Sequence, residues 1–115
     1  MDTVTYRAAA ALAGAALLRE RKQPQPVHSV TGAERNAIYI VCDITGKVLY
    51  VGSTVARAAH MRLAEHLGDK TRTRYWAWAW VVPLRADVTP FEVRYIEGRI
   101  GRYLRPSQNV VLPSG

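Results

Sequence analysis

Apolar residues recur along this chain with two different periods, and the changes of period divide it into elements. From Tyr6 to about Lys22 the sequence is alanine-rich, full of strong helix formers and free of interior proline, which predicts a helix ended by Gln23-Pro24-Gln25-Pro26. Proline, serine, glycine and threonine between Pro24 and Asn36 read as a linker. Ala37 to Cys42 is a continuous β-prone apolar run, Asp43-Ile44-Thr45-Gly46-Lys47 carries turn chemistry, and Val48 to Val51 is the returning strand of a hairpin. The expected division is therefore a helix and linker over residues 1–35 and a compact domain over 36–112.

Beyond the hairpin the period lengthens. Thr54 is placed to cap a helix running to about Leu67, with Gly68 available for a left-handed C-terminus. Ala56, Ala59, Leu63 and Leu67 form its apolar stripe, and Arg62 and His66, one turn apart, share an adjacent face. Tyr75 to Val82 alternates Trp76, Trp78 and Trp80 with alanines; this is a strand, with the three indoles on one face as sheet core or dimer contact in preference to a platform for stacking single-stranded bases. Pro90 opens a last helix with Val93, Ile96, Ile100 and Leu104 buried, and Pro106 stops it. On that helix Glu97 falls at the edge of the apolar stripe, with Gly101 one turn along, so its carboxylate is half-buried and accessible.

Composition narrows the partners. A chain of 115 residues is one domain by length, and its excess of 16 Lys and Arg over 9 Asp and Glu, a net +7, favours a polyanion. Nucleic acid is the first candidate and an anionic membrane the second. The single Cys42 excludes an internal disulfide and a cysteine-rich zinc site, which suits a reducing cytoplasm. The apolar run from Ala8 to Leu18 is too short to span a bilayer, and Asp2 with Arg7 makes a poor basic leader. A half-buried Glu97 needs a compensating cation, either an arginine such as Arg94 or Arg62 or a hard divalent metal.

Five short segments, taken in order, carry more than composition does. Ala37-Ile38-Tyr39 is followed by Tyr50-Val51-Gly52-Ser53, then by Arg62-Leu63-Ala64-Glu65-His66, Ile96-Glu97-Gly98 and Pro106-Ser107-Gln108-Asn109. This series resembles the GIY-YIG endonuclease family over roughly residues 36 to 112, with alanine in place of the first family glycine. The resemblance implies an α+β domain: a small, mostly antiparallel sheet of about three strands flanked by helices, here with an extra N-terminal helix. It also implies metal-dependent hydrolysis of phosphodiester bonds, most readily in DNA, with Mg²⁺ or Mn²⁺ held by Glu97.

Within that resemblance Tyr39, Tyr50, Arg62, His66, Glu97 and Asn109 are the candidate catalytic residues. Arg62 suits charge on phosphate oxygens, since a guanidinium grips two oxygens at once. A tyrosine serves as base only where a cation lowers its pKa from near 10, and otherwise orients water and phosphate. His66 either relays a proton or holds a tyrosine hydroxyl, and Asn109 either bonds backbone or a site hydroxyl or serves the turn after Pro106. Some relatives carry a lysine soon after the second tyrosine motif; here Ser53-Thr54 stands there, which argues against a lysine-activated mechanism. Arg57, Lys70, Arg72, Arg74, Arg94, Arg99, Arg102 and Arg105 are the candidate phosphate contacts. No separate recognition module is visible, so weak sequence preference, or a homodimer or partner protein that supplies it, is expected. The rival readings are a nucleic-acid-binding protein that keeps the fold without cleaving, and a membrane-surface protein, which the sparse basic residues of the first helix disfavour.

Overall fold

Every side chain of Ala37–Cys42 is buried, as an unbroken apolar run requires of a strand covered on both faces. The computed structural model describes residues 1–32 and 34–108, and in it this strand lies at the centre of the molecule. In chain order the elements are α1 (Thr3–Ala11), β1 (Gln25–Pro26), β2 (Ala37–Cys42), β3 (Val48–Thr54), α2 (Ala59–Leu67), β4 (Trp78–Pro83) and α3 (Pro90–Leu104), with short 3₁₀ turns at Gly14–Ala16 and Val27–Ser29. The strands make one antiparallel sheet in the order β1-β4-β2-β3. This is the expected α+β class, with four strands where about three were expected. The additional one, β1, is two residues long and falls inside the segment read as linker.

Alternation along β2 divides the core in two. Ile38, Ile40 and Cys42 face α1 and α3, joining Tyr6, Ala9, Val93, Ile96, Ile100 and Trp80. Ala37, Tyr39 and Val41 face α2 and the Val27–Ser29 turn, joining Val27, Val30, Ala59, Leu63 and Trp76. The alanine that replaces the first family glycine is fully buried in this second cluster, so the sheet accommodates its methyl group.

Helix α1 is capped by Asp2, which accepts from the Thr5 amide at 2.8 Å, but it ends at Ala11 and does not reach Lys22. Gly14 turns left-handed (φ 57°), and the chain then runs extended so that Leu17 bridges Leu84 beside the sheet. Tyr6 anchors the helix to the domain: its ring stacks on Trp80 at 4.7 Å, while its hydroxyl donates to the Val81 carbonyl and accepts from the Arg21 amide.

Local expectations fail at both ends of α2. Thr54 does not cap α2, because β3 continues to it and its backbone pairs with Ala37; ladder hydrogen bonds and burial of a β-branched side chain prevail over capping. The turn that follows puts Ala56, not a stripe residue, at φ 57°, with its amide held by the Asn36 side chain at 3.0 Å. Helix α2 consequently starts only at Ala59, with no side-chain cap, and buries Ala59 and Leu63. Gly68 is right-handed (φ −65°, ψ −25°), since the chain coils on into a further turn there.

The three indoles do not share a face. Ladder pairing begins only at Trp78, and Trp76 sits in a preceding turn, its amide bonded to the Thr73 carbonyl. Trp80 packs in the core beside Tyr6, Trp78 remains 38% exposed, and Trp76 points into the opposite cluster, toward Tyr50. Helix α3 follows expectation except at Leu104, which is only partly buried: Pro90 occupies the first turn, Thr89 accepts from the Glu92 amide, and Arg105 ends the helix in left-handed geometry just before Pro106.

Candidate active site

Tyrosines in register across a hairpin form the floor of the site. Tyr39 on β2 lies directly opposite Gly52 on β3, and Val41 opposite Tyr50, so both tyrosines project on the α2 side of the sheet. The missing side chain of Gly52 is what admits the Tyr39 ring. A β-carbon there would stand 2.5 Å from Tyr39 Cζ and 2.6 Å from Cε2, and closer still to the hydroxyl oxygen. The ring is buried and cannot retreat freely. Gly52→Ala should therefore lower stability by about 1–3 kcal/mol, the usual cost of overpacking, and lower activity as well by displacing the Tyr39 hydroxyl. A denaturation midpoint unchanged from the wild type would show that Tyr39 has another place to go.

Helix α2 brings its paired side chains over this floor. His66 Nε2 shares a hydrogen bond of 3.0 Å with the Tyr39 hydroxyl, and its ring meets Tyr50 edge-on at 5.4 Å. Tyr50 is backed by Trp76, stacked at 5.4 Å, and carries the Arg72 guanidinium 4.6 Å from its ring centre. Gln108 ties these parts together. Its side chain accepts from the Trp76 indole N–H at 2.7 Å and donates to the Arg72 carbonyl at 3.0 Å.

Electrostatics assign distinct protonation states. Burial pushes the Tyr39 hydroxyl well above the ordinary phenol value, and the neighbouring Tyr50 and Glu97 add to this against the opposing Arg62 charge. The condition for a phenolate base, a cation that outweighs burial, is therefore not met by Arg62 at Tyr39. Burial likewise lowers His66 below its ordinary 6.5, with the Arg62 and Arg72 charges acting in the same direction. A neutral imidazole beside a neutral phenol results.

Arg62 donates from Nη1 to Glu65 Oε2 at 2.9 Å, and Glu65 also holds Arg57. The two guanidiniums are thus gathered about one exposed carboxylate, and the Arg62 charge acts on Tyr39 as well. Glu97 on α3 reaches the same region from the edge of β3. It is half-buried, and burial raises its pKa, opposed by the Ser53 hydroxyl and by the more distant Arg94 and Arg62. Among the described residues it takes part in no ion pair, so neither arginine neutralises it directly.

Tyr39, Tyr50, Arg62, His66 and Glu97 thus act on one another, with Arg57 and Arg72 at the margin. Arg94 borders Glu97, whereas Arg99 and Arg102 occupy the solvent face of α3 and Arg105 its end. Arg74 lies over Tyr75, and Lys70 lines a hollow of about 530 Å³ with His28 and His60, apart from the tyrosines. Asn109 lies outside the described residues. Sequence reasoning missed Trp76, Ser53 and Gln108 as parts of the site. Gln108 stood within the quoted Pro106–Asn109 segment, and a side chain able to donate and accept at once was its one available signal.

A small antiparallel sheet with paired tyrosines, an Arg and His helix and a carboxylate helix around one open surface defines a nuclease-type domain. The GIY-YIG catalytic domain model matches residues 35–104, well over half of the chain, and the protein belongs to the GIY-YIG family. The family is one of nucleases, which implies a nucleic-acid substrate. No curated protein and no solved structure gives a significant match. No helix among the described residues is long and apolar enough to cross a membrane.

Proposed function

We propose that this protein is a divalent-metal-dependent endonuclease that hydrolyses phosphodiester bonds in DNA, through the domain spanning residues 36–112. The observation that carries the reading is the 3.0 Å hydrogen bond joining Tyr39 to His66, beside the Arg62 guanidinium and the half-buried Glu97, which among the described residues makes no ion pair. Glu97 is the candidate ligand that the family resemblance implies, and since no cluster of three or more His, Cys, Asp or Glu that could hold a metal occurs among the described residues, its partners at the ion would be water and substrate. One hard carboxylate oxygen fits Mg²⁺, or Mn²⁺ in its place, because such ions keep several waters and use substrate phosphate as ligand. The ion would supply charge stabilisation and an acidified water. A reducing cytoplasm suits the one buried thiol, Cys42, and a second copy or a partner protein would supply sequence preference.

The chain's own residues provide positioning and proton transfer. Arg62 exchanges Glu65 for the scissile phosphate and holds two of its oxygens. Tyr39 needs no phenolate. As the attacking water bonds to phosphorus it gives a proton to the Tyr39 oxygen and the phenolic proton passes to His66 Nε2, while the opposite P–O bond breaks and the departing oxygen takes a proton from solvent; the pair acts as one base and each member starts neutral. Tyr50, fixed by Trp76 and Arg72, orients water and phosphate at the rim. Purified protein incubated with single-stranded, duplex and branched DNA, each with and without Mg²⁺ or Mn²⁺, tests the function; no metal-dependent cutting of any substrate would reject it.

Tyr39→Phe keeps the ring and removes the relay, so turnover should fall by roughly 10²–10⁴. His66→Ala should cost a similar factor, and the double variant little more than either alone, because the two side chains act as a unit. Single losses that multiply in the double variant would separate their roles. The relay also needs unprotonated His66. Turnover should therefore hold at neutral pH and fall only as pH drops through a value below 6.5, a limb that steady-state rates across pH would locate. For stability the sign is the same: a histidine with a lowered folded pKa stabilises above 6.5, and that contribution is lost as pH falls through the folded value.

A further inference from the structure

Helix α3 buries one side and leaves the other unusually rich in two residue types. Val93, Ile96 and Ile100 face the core. At roughly 100° per residue, Phe91, Arg94, Tyr95, Arg99 and Arg102 fall on the half turned to solvent, while Tyr103 lies across its border beside Ile96. The Phe91 and Tyr95 rings on that half are 71% and 49% exposed. Scattered exposed rings are ordinary, but two on one helical face, interleaved with three arginines, form a continuous surface. Arg99 already lies 5.9 Å from the centre of the Tyr95 ring, and Arg94 acts electrostatically on Glu97. The surface thus begins at the candidate metal ligand.

We propose that this face of α3 docks a single-stranded segment of nucleic acid continuous with the strand held at Tyr39 and Glu97. The inference rests on the nuclease reading above for its direction, and adds strandedness to it. Charge complementarity favours a polyanion: Glu92, already bonded within the first turn of the helix, is the one carboxylate on this face. The rings favour an unpaired strand, since bases inside a duplex have no free π-faces while those of a single strand stack on aromatic side chains. Spacing points the same way. Phe91 and Tyr95 are offset by about 6 Å along the helix axis, well beyond the ~3.4 Å rise between nucleotides in one strand of a duplex. A stretched strand with its bases separated meets both rings, and the arginines between them meet its phosphates.

The test is equilibrium binding of the full chain, without added metal, to a labelled single-stranded oligonucleotide, a blunt duplex, and the same duplex with a single-stranded flap. Phe91→Ala/Tyr95→Ala should weaken single-strand and flap binding by about tenfold or more and leave blunt-duplex binding within about twofold. Arg99→Gln should weaken all three and reduce the salt slope by about one unit or less. Equal losses on all substrates in the double variant, or no loss on any, would overturn the proposal. So would a fall in sedimentation coefficient of the double variant without nucleic acid, which would make the face a contact between copies of this chain. Because binding is read without cleavage, a protein that cuts nothing would sink the nuclease reading and leave this result standing.

Discussion

Glu97→Gln should give a folded protein that still binds nucleic acid but cuts it about a thousandfold more slowly or worse, a loss on the order of 4 kcal/mol of transition-state stabilisation. The substitution keeps the shape and removes the only carboxylate assigned to the metal. Its effect on stability should have the opposite sign. Burial raises the Glu97 pKa above its ordinary 4.5, so between 4.5 and the raised value the native chain holds a proton that the unfolded chain has released. Acidification through that window favours folding, and at neutral pH the ionised carboxylate is a net strain on the protein without metal. The glutamine variant should accordingly melt higher than the wild type in chelator. Added Mg²⁺ should raise the melting temperature of the wild type and not of the variant, because only a species bound to the native state shifts the equilibrium. Full cleavage by the folded variant, or the same Mg²⁺ shift in both proteins, would remove Glu97 from the metal site.

The site was legible where chemistry follows sequence order, and illegible where it follows tertiary contact. Tyr39, Tyr50, Arg62, His66 and Glu97 stood in short segments whose periods placed them on strands and helix faces, and the structure brings those five together. Helix α3 is readable to its ends because its signals are local: an early proline, Pro90, and a proline just after it, Pro106. Thr54 carried a local capping signal too, but pairing with Ala37 decided its state, and no window around Thr54 contains that partner. Trp76 has the same difficulty. Alternation with Trp78 and Trp80 is real in the sequence, but the ladder begins after it, so it serves the site and not the sheet face. Protonation was beyond sequence altogether. That Tyr39 stays neutral and His66 is ready to accept depends on burial contributed by elements distant in the chain.

Arg62→Ala should lower turnover by about 10²–10³, or about 2.7–4 kcal/mol, with a much smaller change in affinity. The asymmetry follows from its surroundings. Arg57 and Arg72 remain at the margin of the site to hold phosphates, and Glu65 keeps its pairing with Arg57, so neither ground-state binding nor the fold depends on Arg62 alone. What the variant lacks is a permanent cation where it acts on both the Tyr39 hydroxyl and Glu97. Negative charge developing on the phosphate oxygens would then meet only the marginal Arg57 and Arg72. Arg62→Lys should recover only part of the loss, since an ammonium is a point charge and cannot grip two oxygens in a plane. Single-turnover rates at saturating DNA separate the cases. If Arg62→Ala cuts at the wild-type rate once saturated and differs only in affinity, Arg62 is a phosphate anchor, and stabilisation of the transition state must come from other groups.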